Sequence, residues 1–128
     1  MATSTAVTLS RYALPAQLKR SNVTYTGAAT NTLITAVASS YLRIWLVDLV
    51  LSGASTIEFL TGSTSFTQAM SFAANARIQY GFNPILPSTN ATRAFPPFVC
   101  ALEEDFKITT GSAITVSGQI WYEVSTTA

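Results

Sequence analysis

Residues Tyr41 to Gly53 read YLRIWLVDLVLSG, and the question this stretch poses governs the fold. An extended strand sends alternate side chains to opposite faces. On that rule Tyr41, Arg43, Trp45, Val47, Leu49 and Leu51 share one face, and Leu42, Ile44, Leu46, Asp48 and Val50 share the other. Neither set is polar. A strand with a core on one side and water on the other alternates cleanly. A strand that is apolar on both sides needs two covers. The pattern therefore predicts a sandwich core over one face of 41–52 and a subunit interface over the other.

Composition points the same way. The chain has 128 residues, enough for one domain with a real core. Hydrophobic residues make up 48% of it but charged residues only 10%, well below the usual share of about 25%. Thr (19) and Ser (14) supply the polar surface instead. A hydroxyl loses less hydration on burial than an ion, so such a surface is easily covered by neighbours. Net charge is +1 with no basic run, and Arg11, Lys19 and Arg20 are the nearest approach to one. Nucleic-acid binding needs a phosphate-neutralising patch, so no nucleic-acid partner is expected. The 41–53 segment is too short for a membrane-spanning helix and carries Arg43 and Asp48, so no membrane partner is expected either. The opening MATSTAVTLSRYALPAQ lacks a basic start followed by an apolar run, so no secretory leader is expected. The NVT at 22–24 and NAT at 90–92 are then chance matches to a glycosylation acceptor.

Along the chain, residues 1–20 read as an extended N-terminal arm with a helical turn near 15–20, broken by Pro15. Tyr12, Leu14 and Leu18 could share one short apolar face there. From residue 21 to 128 the pattern is one all-β domain. NVTYTG, NTLITAVAS, 41–52, STIEFLTG, TSFTQAMSFA and ARIQYG are strand candidates. In TSFTQAMSFA, Phe66, Met70 and Phe72 fall on one face and small residues on the other. Residues 81–98 form a long connection in which Pro84, Pro87, Pro96 and Pro97 forbid a central strand. Its Phe82, Phe95 and Phe98 are expected to be buried. The closing strand alternates best: Ile114, Val116, Gly118, Ile120, Tyr122 and Val124 against Thr115, Ser117, Gln119, Trp121 and Glu123. Short strands separated by turns predict a β-sandwich or barrel.

Chemistry is sparse. With no His and one Cys, Ser-His-Asp and Cys-His sites, His-based metal sites and thiolate clusters are excluded. No glycine-rich phosphate loop is present. Glu103, Glu104 and Asp105 raise the idea of a Ca²⁺ site. Adjacent residues on an extended chain diverge, so a solvated turn is the preferred reading. Asp48 should pair with Arg43, Arg77 or Arg93, within the chain or across a subunit boundary, because a lone buried charge is costly. Cys100 reads as a small buried hydrophobe. Trp45, Trp121, Tyr12 and Tyr41 could make a sugar-stacking platform, although Trp and Tyr also enrich in cores and interfaces. No catalysis, cofactor or metal is expected.

The segments YLRIWLVDLVLSGASTIEFLTGST, GFNPILPSTNATRAFPPF and DFKITTGSAITVSGQIWYEV resemble the small jelly-roll-like decoration (cement) proteins of tailed-phage capsids. The resemblance covers about residues 41–124 and rests on strand-and-turn patterns. It implies a single β-sandwich, jelly-roll-like domain with an N-terminal arm, no enzymatic activity, and a homotrimer on the outer surface of the virion. The partner would be the major capsid protein. Candidate subunit or capsid contacts are Arg11, Tyr12, Leu14, Leu18, Lys19, Arg20, Tyr41, Arg43, Trp45, Phe82, Phe95, Phe98 and Trp121. The alternative is a carbohydrate- or receptor-binding β-sandwich module of a head fibre or tail appendage.

Overall fold

The computed structural model describes residues 18–81 and 96–128. Its strands are β1 (Lys19–Gly27), β2 (Thr30–Ile34), β3 (Tyr41–Leu51), β4 (Ser55–Thr61), β5 (Thr64–Ser65), β6 (Met70–Phe72), β7 (Arg77–Gly81), β8 (Phe98–Val99), β9 (Phe106–Thr110) and β10 (Ile114–Ser125). They form two antiparallel sheets packed face to face, a β-sandwich-like arrangement. The first runs β1-β10-β3-β7, with β8 also on β3; the second runs β2-β9-β4-β5, with β6 also on β4.

β3 sits inside the first sheet, and its pairing answers the question raised by its sequence. Opposite β10, Val47 faces Ile120, Leu46 faces Trp121, and the next pair is Ile44 with Tyr122. Trp45 has no partner on β10. It is the extra residue of a β-bulge, which puts two residues on one strand against a single one on the other. The bulge shifts the phase of the alternation. Leu42 and Ile44 face the core before it, and Val47, Leu49 and Leu51 face the core after it, all at 1% exposure or less. The other face carries Arg43, then Trp45 and Leu46 together, then Asp48 and Val50. Strict alternation had mixed these two sets, which is why both looked apolar.

The expectation of a β3 face needing a partner is therefore corrected. Trp45 and Leu46 lie outside the core cluster, yet they are only 4% and 2% exposed within the single chain. Only Val50, at 42%, remains as an exposed large hydrophobic residue of this strand.

A glycine permits the bulge. Gly81 on β7 stands opposite Leu46, with φ at +85°. A Cβ there would lie 2.1 Å from the carbonyl oxygen of Trp45. Any larger residue would meet both an unfavourable backbone region and a backbone clash.

Between the sheets, Val23, Ile78, Val116 and Ile120 meet Ile34, Ile57, Phe59, Phe106 and Ile108. One end of this core is aromatic. The Phe59 ring stacks on Phe106 at 5.7 Å, meets Tyr80 edge-on at 5.6 Å, and lies 5.7 Å from Phe98. Phe66 completes the group, 4.9 Å from Phe98. Phe98, from the Pro-rich connection, is buried as expected. Residues 82–95 of that connection, with Phe82 and Phe95, lie outside the described residues.

Two further expectations change. TSFTQAMSFA is not one strand, because Phe66 and Thr67 both direct their amides to the Phe59 carbonyl (2.8 and 3.4 Å). The Thr67 hydroxyl in turn accepts the Phe59 amide at 3.1 Å. A side chain thus replaces the ladder there and splits the segment into β5 and β6. Lys19 and Arg20 begin β1 instead of ending a helical turn. Arg11, Tyr12 and Leu14 lie outside the described residues.

Gly81→Ala should lower stability by about 1–3 kcal/mol through backbone strain alone, with the clash adding to it. Urea unfolding measures this directly. An unchanged midpoint would show that β3 and β7 meet differently.

Candidate functional site

The outward face of the first sheet gathers a set of polar and aromatic side chains that the core does not use. On β1, β10, β3 and β7 the residues alternating with core positions point away from the second sheet. Register then sets them in rows. Asn22 stands opposite Gln119, Gln119 opposite Asp48, and Asp48 opposite Gln79. One step along, Arg20, Trp121 and Leu46 align. One step the other way, Thr24, Ser117, Val50 and Arg77 align.

The middle row carries one carboxylate among three amides. Asp48 accepts two hydrogen bonds from Arg77, from Nε and from Nη2, each 2.7 Å long. This is the bidentate fork of guanidinium and carboxylate. The Arg77 bonds hold the Asp48 carboxyl below the usual aspartate range; partial burial opposes this, and the Gln119 side chain assists. The pairing is within the chain, to one of the three arginines expected from sequence. Around it lies an open depression of about 320 Å³ lined by Asn22, Asp48, Val50, Arg77, Gly118 and Gln119. Gly118 lets β10 approach β3 closely there, since a Cβ would sit 2.0 Å from the Asp48 carbonyl oxygen.

Beside this row the surface is aromatic and charged. The Arg20 guanidinium lies 5.9 Å from the centre of the Trp121 ring, within cation–π range. Glu123 accepts from Trp45 Nε1 at 3.2 Å and pairs with Arg43 at 3.4 Å. Trp45 is thus tied down beneath the surface, and Trp121 carries Arg20 over its ring. The two rings do not form the open stacking platform considered from sequence.

Of the contact candidates, Lys19 and Arg20 are exposed, while Leu18, Tyr41, Arg43 and Trp121 are half-buried. Phe98 and Trp45 are buried within the chain. The structure brings Arg20 and Trp121 together, and Arg43 and Trp45 through Glu123. It leaves Phe98 in the core, away from them.

The acidic run serves a purpose the sequence reading missed. Glu103 Oε2 accepts the Ser39 amide at 2.8 Å, Glu104 Oε1 accepts the Thr61 hydroxyl at 2.8 Å, and Asp105 Oδ1 accepts the Ala36 amide at 2.6 Å. Three carboxylates thus bind two points of the loop before β3 and the last residue of β4. Among the described residues, no group of three or more acidic or thiol side chains is placed to hold a metal ion. Cys100 is 1% exposed. Burial pushes its thiol up to about 11, so it is protonated and unreactive at neutral pH.

Asn22 entered the sequence reading only as a chance glycosylation match, and Gln79 and Gln119 were not singled out. The closing alternation does put Gln119 on a polar face, but its neighbours come from distant segments. No family model, curated protein or solved structure matches the chain.

Two outcomes follow from this geometry. Because the Asp48 pKa is depressed on folding, its contribution is present above about pH 4, the ordinary aspartate value, and is lost as pH falls through the folded value. Asp48→Asn should therefore be less stable than the parent at pH 7, with the gap closing below about pH 4. Chemical unfolding at both pH values checks it; a gap that stays constant contradicts the pairing. Cys100 should resist Ellman's reagent in the native protein and react fully in guanidinium. Rapid native labelling would mean that the loop carrying it opens freely.

Proposed function

We propose that this chain is a structural protein of a tailed-phage virion, a decoration or cement protein with a jelly-roll-like fold. On this reading it binds the outer surface of the head as a homotrimer and ties neighbouring major capsid subunits together. It carries out no reaction and uses no cofactor. Nucleic acid and membrane are not its partners.

The observation that carries this reading is the free edge of β1. Among the described residues, this nine-residue strand ends its sheet and is paired on one side only, with β10. An edge strand offers a row of unsatisfied amides and carbonyls to a further strand. Strand addition supplies affinity through the backbone and needs no apolar patch. That matters because Val37, Val50 and Leu102 are the only exposed large hydrophobic residues among the described residues, and they do not form a broad greasy face. The edge also follows on residues 1–17, the greater part of the arm expected over 1–20, and opens with exposed Lys19 and Arg20, the last two residues of that expected arm. The scarcity of charge and the resemblance over residues 41–124 support the same conclusion. The contact on this reading is made along an edge and through the arm, with the β3 face left out of it.

The experiment is cosedimentation with expanded, undecorated phage heads. The full chain should bind. Deleting residues 1–17 should weaken binding about tenfold or more while leaving thermal unfolding unchanged. A protein that stays monomeric by light scattering and leaves the heads bare overturns the reading.

A further inference from the structure

We propose that the depression on the outward face of the first sheet is a binding site for a neutral saccharide, held by Asn22, Gln119 and Asp48. The site takes Asn22 from β1 but uses that strand's outward side chain and not its backbone edge. It lies on the broad face of the sheet, so the chain could be anchored through its edge and still present this face.

The chemistry of the row selects the ligand. Asn22, Gln119 and Gln79 flank Asp48 in one register row across four strands. Each amide offers an acceptor oxygen and two donor hydrogens, and an ionised carboxylate only accepts. A sugar hydroxyl both donates and accepts, so a ring bearing adjacent hydroxyls matches amides and a carboxylate set side by side. Charge narrows the class further. Arg77 takes both Asp48 oxygens through a fork at 2.7 Å, so the two charges neutralise each other and neither is free to attract an ion of opposite sign. Free phosphate, acidic sugars and cationic peptides find no unpaired countercharge among the lining residues. Each Asp48 oxygen still has a lone pair to offer a hydroxyl. Exposed Val50 lines the same depression and provides an apolar spot for the C–H face of a ring.

Size and rigidity agree. About 320 Å³ is near the lower end for small-molecule pockets, roughly 300–1,000 Å³. It suits a single sugar ring or the end of a short glycan. All the named residues lie on strands within the sheet and not on loops, so the site is preformed. Its openness predicts weak, fast-exchanging binding per site.

The test is a heteronuclear NMR titration of the full chain, following the side-chain amide signals of Asn22, Gln79 and Gln119. The probes are the methyl glycosides of glucose, galactose and mannose, with N-acetylglucosamine, and N-acetylneuraminic acid as a charged control. Saturable shifts of these signals with at least one neutral sugar are expected. They should weaken about tenfold or more in Gln119→Ala and in Asn22→Ala, with backbone spectra otherwise unchanged. Two results overturn the proposal. One is the absence of saturable shifts with every neutral sugar, including the case where only the acid binds. The other is shifts of the same signals on raising protein concentration alone, which assign the face to a second copy of the chain. Head binding by Gln119→Ala separates the two proposals: it should match the parent protein whichever way the sugar titration falls.

Discussion

The bulge at Trp45 is the constraint on which the rest of the first sheet depends. One residue without a partner on β10 lets a single strand send Leu42, Ile44, Val47, Leu49 and Leu51 to the same core. Without the phase shift, either the first pair or the last three would face outward, and the core would lose them. The same step turns Trp45 and Leu46 to the outer side together, and leaves Arg43 and Asp48 there with intrachain partners. It also dictates a neighbour. Only glycine at position 81 allows β7 to pass the Trp45 carbonyl. A packing requirement in one strand thus fixes residue choice in another.

This changes how an assembly role should be understood. An apolar outer face would call for a broad dry interface. The protein has instead a mostly polar outer sheet, with Arg43 and Glu123, and Asp48 and Arg77, paired inside the chain and Trp45 tied down by Glu123. Among the described residues, β1 is paired on one side only, which leaves its other side to a further strand. Edges of this kind associate through directional hydrogen bonds, which specify register and geometry more than they contribute greasy area. A surface rich in Thr and Ser suits that mode, because hydroxyls are readily dehydrated and yet keep the isolated protein wetted. The outer face is then free for a different ligand.

The loops show a similar economy. Glu103, Glu104 and Asp105 looked like either a cation site or an idle turn. Each carboxylate instead satisfies a separate donor in a neighbouring segment. Buried or half-buried donors need such partners, and a short acidic run at a loop crossing supplies several at once. Cys100, beside them, behaves as the small hydrophobe its isolation implied.

Much of the fold was legible in the sequence, and the reason is periodicity. The alternation of 114–124, of Ile57 and Phe59, and of Ile78 and Tyr80 reports which side of each strand meets the core, and the structure agrees at those positions. The Asp48 ion pair was also within reach, because a half-buried charge must find a partner and few arginines exist. Alternation failed where the strand itself broke step. A bulge is set by what the adjacent strands do, and nothing local at Trp45 announces it. The split between β5 and β6 was hidden for the same reason, since it depends on Thr67 capturing the Phe59 amide across a turn. The row of Asn22, Gln119, Asp48 and Gln79 was illegible as well. Its members are far apart in sequence, and only the order β1-β10-β3-β7 and the register of each pair make them neighbours. Sequence by itself determined the all-β class, the core-facing residues of regular strands and the absence of histidine. The tertiary structure alone decided which face of β3 is inner and which polar side chains meet, because both depend on long-range pairing that local periodicity does not encode.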